Sequence, residues 1–146
     1  MLGLGKRKKK ILIAEDDANI RGIVQFMLEG KGYEVMAVGD GKAAAEALPK
    51  FKPDLVMLDV MMPHKNGLEL CYEIKNDPQT VHLPVLILTA TTQTSQKPDE
   101  YWRVRSRADD FISKPFKSVE LLTRIEKLLS LQPDDPDKDA AKRFRI

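Results

Sequence analysis

Five short apolar runs punctuate the chain, at residues 11–14, 35–38, 55–58, 85–88 and 111–112. They are nearly continuous rather than alternating, the pattern of strands covered on both faces. Amphipathic stretches lie between them. Ile20, Ile23, Val24, Met27 and Leu28 fall at the spacing of one helical face, with Gly30 and Gly32 as a stop. Ala43 to Leu48 reads as a second, Ala-rich helix ended near Pro49. Gly67, Leu70, Cys71 and Ile74 mark a third that ends near Asp77-Pro78, and Leu121, Leu122, Ile125, Leu128 and Leu129 mark the last. Repeated strand–helix alternation predicts a doubly wound α/β sandwich, a five-stranded parallel sheet with helices on both faces. Pattern alone leaves the strand order open.

The residues that end the runs carry the chemistry. Ile11-Leu12-Ile13-Ala14 runs into Glu15-Asp16-Asp17, and Leu55-Val56-Met57-Leu58 into Asp59. Val85-Leu86-Ile87-Leu88 runs into Thr89-Ala90, and Phe111-Ile112-Ser113 into Lys114-Pro115. A lone carboxylate at the end of a buried strand is costly without a partner. In a parallel sheet these ends share one edge, where ligands of such folds bind. That places Glu15, Asp16, Asp59, Thr89 and Lys114 together. Asp17 reads instead as a cap for the first helix.

The acidic pair after the first strand, Asp59 with Pro63 four residues on, Thr89-Ala90 and Lys114-Pro115-Phe116 occur in order. This set, across residues 9–131, resembles the receiver domain of two-component response regulators, in its stand-alone type. The resemblance implies a flavodoxin-like strand order 2-1-3-4-5. It implies that Asp59 accepts a phosphoryl group from a sensor histidine kinase or a phosphotransfer protein. An ionised aspartate needs no base to attack phosphorus, but an anion must then approach a phosphate. A divalent cation resolves that repulsion, and Mg²⁺ asks for only a few protein oxygens. By resemblance, Asp16, Asp59 and the backbone carbonyl of Met61 hold Mg²⁺ or another divalent cation, with Glu15 acting through water. Lys114 would set a point charge on the phosphoryl group, and Thr89 would donate a hydroxyl to it. Thr89 and Phe111 would form the switch. The Lys114–Pro115 bond is expected to be cis, an option confined in practice to proline.

Composition narrows the remaining classes. The 146 residues suit one domain with a full core, and 42% hydrophobic with 32% charged content reads as soluble and globular. A formal charge of +2 is too small to argue for nucleic acid. No stretch approaches the roughly 20 apolar residues of a membrane span, and the start lacks the apolar core of a signal peptide. A single cysteine, Cys71, sits at an apolar helical position, fits a reducing cytoplasm, and with two histidines makes a zinc site improbable. His64 and His82 read as solvated loop histidines.

Both ends read as appendages. Residues 1–8 form a basic arm ahead of the domain, with Lys6-Arg7-Lys8-Lys9-Lys10 read as solvated. Residues 132–146 form a flexible tail, too short for an output domain. The chain departs from the family's usual pattern before the fifth strand, where Arg107-Ala108-Asp109-Asp110 stands in place of a Gly-Ala lead. The stretch from Thr89 to Lys114 is about three residues longer than usual. Tyr101-Trp102, with arginines nearby, reads as a partner or self-association surface. By resemblance, the face built by the family's fourth helix, fifth strand and fifth helix would bind an unknown output protein or a second copy. The expectation is a phosphorylation switch rather than a turnover enzyme. The alternative is a pseudo-receiver that binds partners without phosphorylation. A haloacid-dehalogenase phosphatase is disfavoured because Met61 stands where that class carries a second aspartate.

Overall fold

The structure is a computed structural model and describes residues 7–90 and 107–131. Five strands are described: β1 (Lys10–Ala14), β2 (Glu34–Val38), β3 (Leu55–Asp59), β4 (Val85–Ala90) and β5 (Asp110–Lys114). They form one parallel sheet in the order β2-β1-β3-β4-β5. The four described helices are α1 (Ala18–Gly30), α2 (Gly41–Phe51), α3 (Gly67–Lys75) and α4 (Ser118–Ser130). The strand order matches the one the resemblance implied.

Alternating side chains divide the core. Leu12, Ala14, Val56, Leu58, Val85, Ile87 and Phe111 pack with α2 and α3. Ile11, Ile13, Leu55, Met57, Leu86, Leu88 and Ile112 pack with α1 and α4. Both faces of the sheet are covered, which is why the strands read as unbroken apolar runs. Cys71 is buried in the first of these layers.

The helix ends follow local chemistry. Asp17 caps α1, its carboxylate accepting from the Asn19 and Ile20 amides at 2.8 and 3.1 Å. Asn66 and Glu69 form a reciprocal capping box on α3. Two expectations need correcting. The second helix does not stop at Pro49 but continues to Phe51. Proline removes one amide donor near the end, yet the Lys52 N–H still reaches the Leu48 carbonyl at 3.0 Å, and Lys52 ends the helix with φ 55. Ile23, expected on the inner face of α1, is 68% exposed. Val24 and Leu28 meet the sheet directly, with Ile20 and Met27 at its margin, and Ile23 falls one helical step outside that stripe.

At the amino-terminal edge of the sheet the charged groups are closed off by partners. Arg7 holds Asp54 in a two-pronged pair at 2.9 Å, and the Lys10 amide donates to the same carboxylate at 2.8 Å. Burial alone would raise the Asp54 pKa, but those hydrogen bonds and the charges of Arg7 and Lys9 hold it below the ordinary range. Lys10 extends its ammonium to the Phe51 carbonyl, 5.3 Å from the centre of that residue's ring. Part of the expected solvated arm is therefore tied to the domain. Residues 1–6 and those from 132 onward lie outside the described residues, as do Tyr101-Trp102 and the rest of the longer stretch, 91–106.

A second closure has no counterpart in the sequence reading. Lys75 is buried at the end of α3, donates to the Leu83 carbonyl at 2.6 Å and pairs with Asp109 at 2.7 Å. Asp109 in turn accepts from the Val85 amide at 2.7 Å. The outer edge of β5 is also occupied: Arg124 from α4 donates to the Phe111 carbonyl and to Asp110, which accepts from the Phe111 amide at 2.8 Å.

Replacing Lys75 by Ala is expected to cost about 2 kcal/mol, because the Leu83 carbonyl loses its charged donor while water recovers part of the Asp109 interaction. The loss would be read as a lower urea midpoint at unchanged slope. An unmoved midpoint would mean that the closure adds nothing to stability.

Candidate functional site

At the carboxyl-terminal edge of the sheet the polar groups converge and are not all matched. Glu15, Asp16 and Asp59 each bring a carboxylate oxygen within 4.8 Å of the others. Glu15 and Asp59 are buried and Asp16 is exposed. The Lys114 ammonium stands 2.7 Å from Glu15 Oε1 and 3.2 Å from Asp59 Oδ1. Glu15 Oε2 accepts from the Asp17 amide at 3.0 Å. Its other oxygen, Oε1, is buried with no hydrogen bond of normal geometry, so the contact with Lys114 is an ion pair without a directed bond.

Two buried carboxylates thus share one ammonium, with a third, exposed, beside them. Burial pushes the Asp59 carboxyl up to about 7, and the neighbouring Glu15 pushes in the same direction by hydrogen bonding and by charge. Lys114 opposes this but lies closer to Glu15 than to Asp59. For Lys114, burial favours the neutral amine, and its contacts with Glu15 and Asp59 outweigh that and raise its pKa. A hard divalent cation fits such a set: the donors are all oxygens, two of the acids are buried, and a single ammonium is shared between those two. Asp17 is committed to the α1 cap, so Glu15, Asp16 and Asp59 are the carboxylates left to hold it.

Met61 lies in the bend after β3, its side chain 71% exposed. Thr89 is half-buried on β4, one residue beyond Leu88, which is the register partner of Asp59. Across the next pair, Thr89 sits opposite Ser113 and Ala90 opposite Lys114. Phe111 is buried in the layer shared with α2 and α3. The Lys114–Pro115 bond is cis. His64 and His82 are exposed in loops, as expected.

Two further residues shape the site and escaped the sequence reading. Arg21 from α1 donates to the Glu15 carbonyl at 2.7 Å and so steadies the acidic turn. Its only sequence signal is an arginine one helical turn beyond three acids. Gly67 opens α3, and a Cβ placed on it would stand 2.1 Å from the Asp59 carbonyl oxygen. The helix start thus presses on the backbone of Asp59, and the Gly67 amide donates to the Val60 carbonyl at 3.1 Å. A glycine at the start of a helical pattern is the only trace of this in the sequence. A groove of about 650 Å³, lined by Leu48, Lys52, Ile74 and Thr80 among others, lies between α2 and α3 at the opposite edge of the sheet. Of its three acids, Asp54 and Glu73 are paired with Arg7 and Lys65, and Asp77 accepts from the Gln79 amide at 2.9 Å.

Known proteins are similar to this chain in sequence and in fold. The family model described as "Response regulator receiver domain" matches residues 11–126. The DNA-binding response regulator MtrA of Mycobacterium tuberculosis is 36% identical over 129 residues, 88% of this chain and 54% of that protein. The DNA-binding dual master transcriptional regulator RpaA of Synechocystis is 38% identical over 137 residues, 94% of this chain and 55% of that protein. The chain therefore spans about half the length of these curated relatives. Among solved structures, the signal receiver domain of a signal transduction histidine kinase from Syntrophus aciditrophicus superposes with a TM-score of 0.77 at 35% identity. That match covers 84% of this chain and 90% of the other. Among the described residues, no helix is long and apolar enough to cross a membrane.

The raised Asp59 pKa fixes the sign of a pH effect. The group favours folding fully below its ordinary value, and the cation-free protein loses that contribution as pH rises from about 4 to about 7. Asp59→Asn is expected to flatten this decline and to raise the melting temperature at pH 8 by roughly 5 °C, with little change at pH 4. Thermal melts of both proteins across that range would check it. Parallel declines would show that Asp59 does not carry the effect.

Proposed function

Because this chain belongs to the response regulator receiver domain family, we propose that it is a phosphoacceptor switch in which Asp59 is the acceptor. The observation that carries this reading is the convergence of buried Glu15 and buried Asp59 on one ammonium, with the Asp16 carboxylate beside them. In the proposed step a carboxylate oxygen of Asp59 bonds to phosphorus. The bond from phosphorus to the donor breaks, and its electron pair leaves with the donor group. Asp16, Asp59 and the Met61 carbonyl would hold Mg²⁺, with Glu15 beside them through water. The cation supplies neutralisation of charge on the phosphoryl oxygens. Lys114, already beside Asp59, would pair with the same oxygens once the group is transferred. Thr89 would donate its hydroxyl, and Phe111 would follow Thr89 as the buried reporter of the change.

The donor in this reading is a sensor histidine kinase or a phosphotransfer protein, encountered in the cytoplasm. The output is a change of protein contacts, with a separate protein or with a second copy through the face that includes β5 and α4. The DNA-binding activity of MtrA and RpaA is theirs, in proteins of which this chain spans about half the length. The switch phosphorylates itself and loses the phosphoryl group slowly, without turning over an external metabolite.

Acetyl phosphate tests this directly. With Mg²⁺, the intact mass is expected to rise by one phosphoryl group, and both EDTA and Asp59→Asn should abolish the rise. Lys114→Ala is expected to slow the reaction by roughly 10²-fold, the scale of losing one positioned charge. An unmodified mass under conditions where an established receiver reacts would overturn the proposal and favour a pseudo-receiver.

A further inference from the structure

The loop that joins Asp59 to α3 contains a strained turn. The Lys65 amide donates to the Pro63 carbonyl at 2.8 Å, and His64 between them has φ 72. A residue with a side chain is disfavoured there, and such a conformation persists only where the surroundings impose it. The exposed His64 side chain does not impose it. The element that packs closely against this turn is the start of α2.

Gly41 is the first residue of α2 and is buried. A Cβ placed on it would stand 2.0 Å from the Lys65 carbonyl oxygen and 2.8 Å from the carbonyl carbon. The bare first turn of α2 therefore bears on the Lys65 peptide, with no room for a methyl group between them. That turn is itself pinned, since the Asp40 carboxylate accepts from the Ala43 amide at 2.7 Å and its carbonyl from the Ala44 amide at 3.1 Å. At the far end of the same loop, Gly67 sits against the Asp59 carbonyl. The segment at 60–66 is thus held between two helix starts, each brought close by a glycine.

We propose that Gly41 is a positioning residue of the Asp59 site: the first turn of α2 braces the strained Pro63–Lys65 turn and, through it, sets the Met61 carbonyl where a divalent cation is held. The proposal rests on the reading of the site as a cation-assisted phosphoacceptor. Gly41 acts through Lys65 and supplies no ligand of its own.

Mg²⁺ titration of the full chain by calorimetry is the test, with thermal melts and circular dichroism to establish that each variant is folded. Gly41→Ala is expected to weaken Mg²⁺ binding roughly 10-fold, the scale of losing support behind a ligand, and to shift the amide resonances of residues 60–66. Gly22→Ala, where a Cβ meets nothing within 4 Å, should leave the affinity unchanged. Should Gly41→Ala fail to fold, a pair of variants at Asp40 asks the same question without a clash. Asp40→Asn keeps the cap and removes the charge, whereas Asp40→Ala also releases the first turn. Asp40→Ala is then expected to bind Mg²⁺ about 3-fold more weakly than Asp40→Asn, consistent with loss of a cap. Unchanged affinity in a folded Gly41→Ala, or equal affinity in the Asp40 pair, would overturn the positioning role even if stability fell. Absence of Mg²⁺ binding by the unaltered chain would overturn the reading of the site and this proposal with it. Binding that all variants share would overturn this proposal alone.

Discussion

Glu15 and Asp59 are two buried carboxylates that lean on the same ammonium, and the fold is arranged so that they cannot move apart. β1 and β3 are neighbours in the middle of a parallel sheet, so residues at their carboxyl ends are neighbours too. β4 adjoins β3, and β5 adjoins β4, which brings Thr89 and Lys114 to the same edge. Neither acid can be neutralised by retreating into water, because the strands beneath them are buried on both faces. The excess negative charge is consequently built into the topology.

The two edges of the sheet contrast in how their charges are treated. At the amino-terminal edge, Arg7 and the Lys10 amide meet Asp54, while Lys75 ties α3 to the Leu83 carbonyl and to Asp109. These are matched sets, in which each ion meets an opposite charge or a hydrogen-bonding group. The opposite edge keeps more acid than base and leaves an oxygen without a directed bond. Polar groups left unmatched inside a stable domain mark where a ligand is to be accommodated, and the matched edge supplies stability without competing for it.

Sequence reading reached the strands and the acidic edge because both are local signals. A run such as residues 55–58 ending on Asp59 is visible without knowing its neighbours. The Asp17 cap was legible for the same reason, since its partners Asn19 and Ile20 are adjacent in the chain. What escaped depended on distant contacts. Lys75 meets Asp109 and Arg7 meets Asp54, pairs that lie far apart in sequence and share no motif. Pro49 was read as a stop because proline usually ends a helix, but the chain closes one more turn onto Leu48. Gly41 and Gly67 were invisible as contacts because the absence of a side chain names no partner.

The occupied edge of β5 governs how other molecules can meet this domain. A sheet edge usually offers a ladder of amides and carbonyls to any extended peptide. Here Arg124 and Asp110 already engage the Phe111 carbonyl and amide. An incoming chain would have to displace a guanidinium and a carboxylate before a rung could form at Phe111. At Phe111, growth of the sheet by a further strand is therefore opposed by groups of the chain itself.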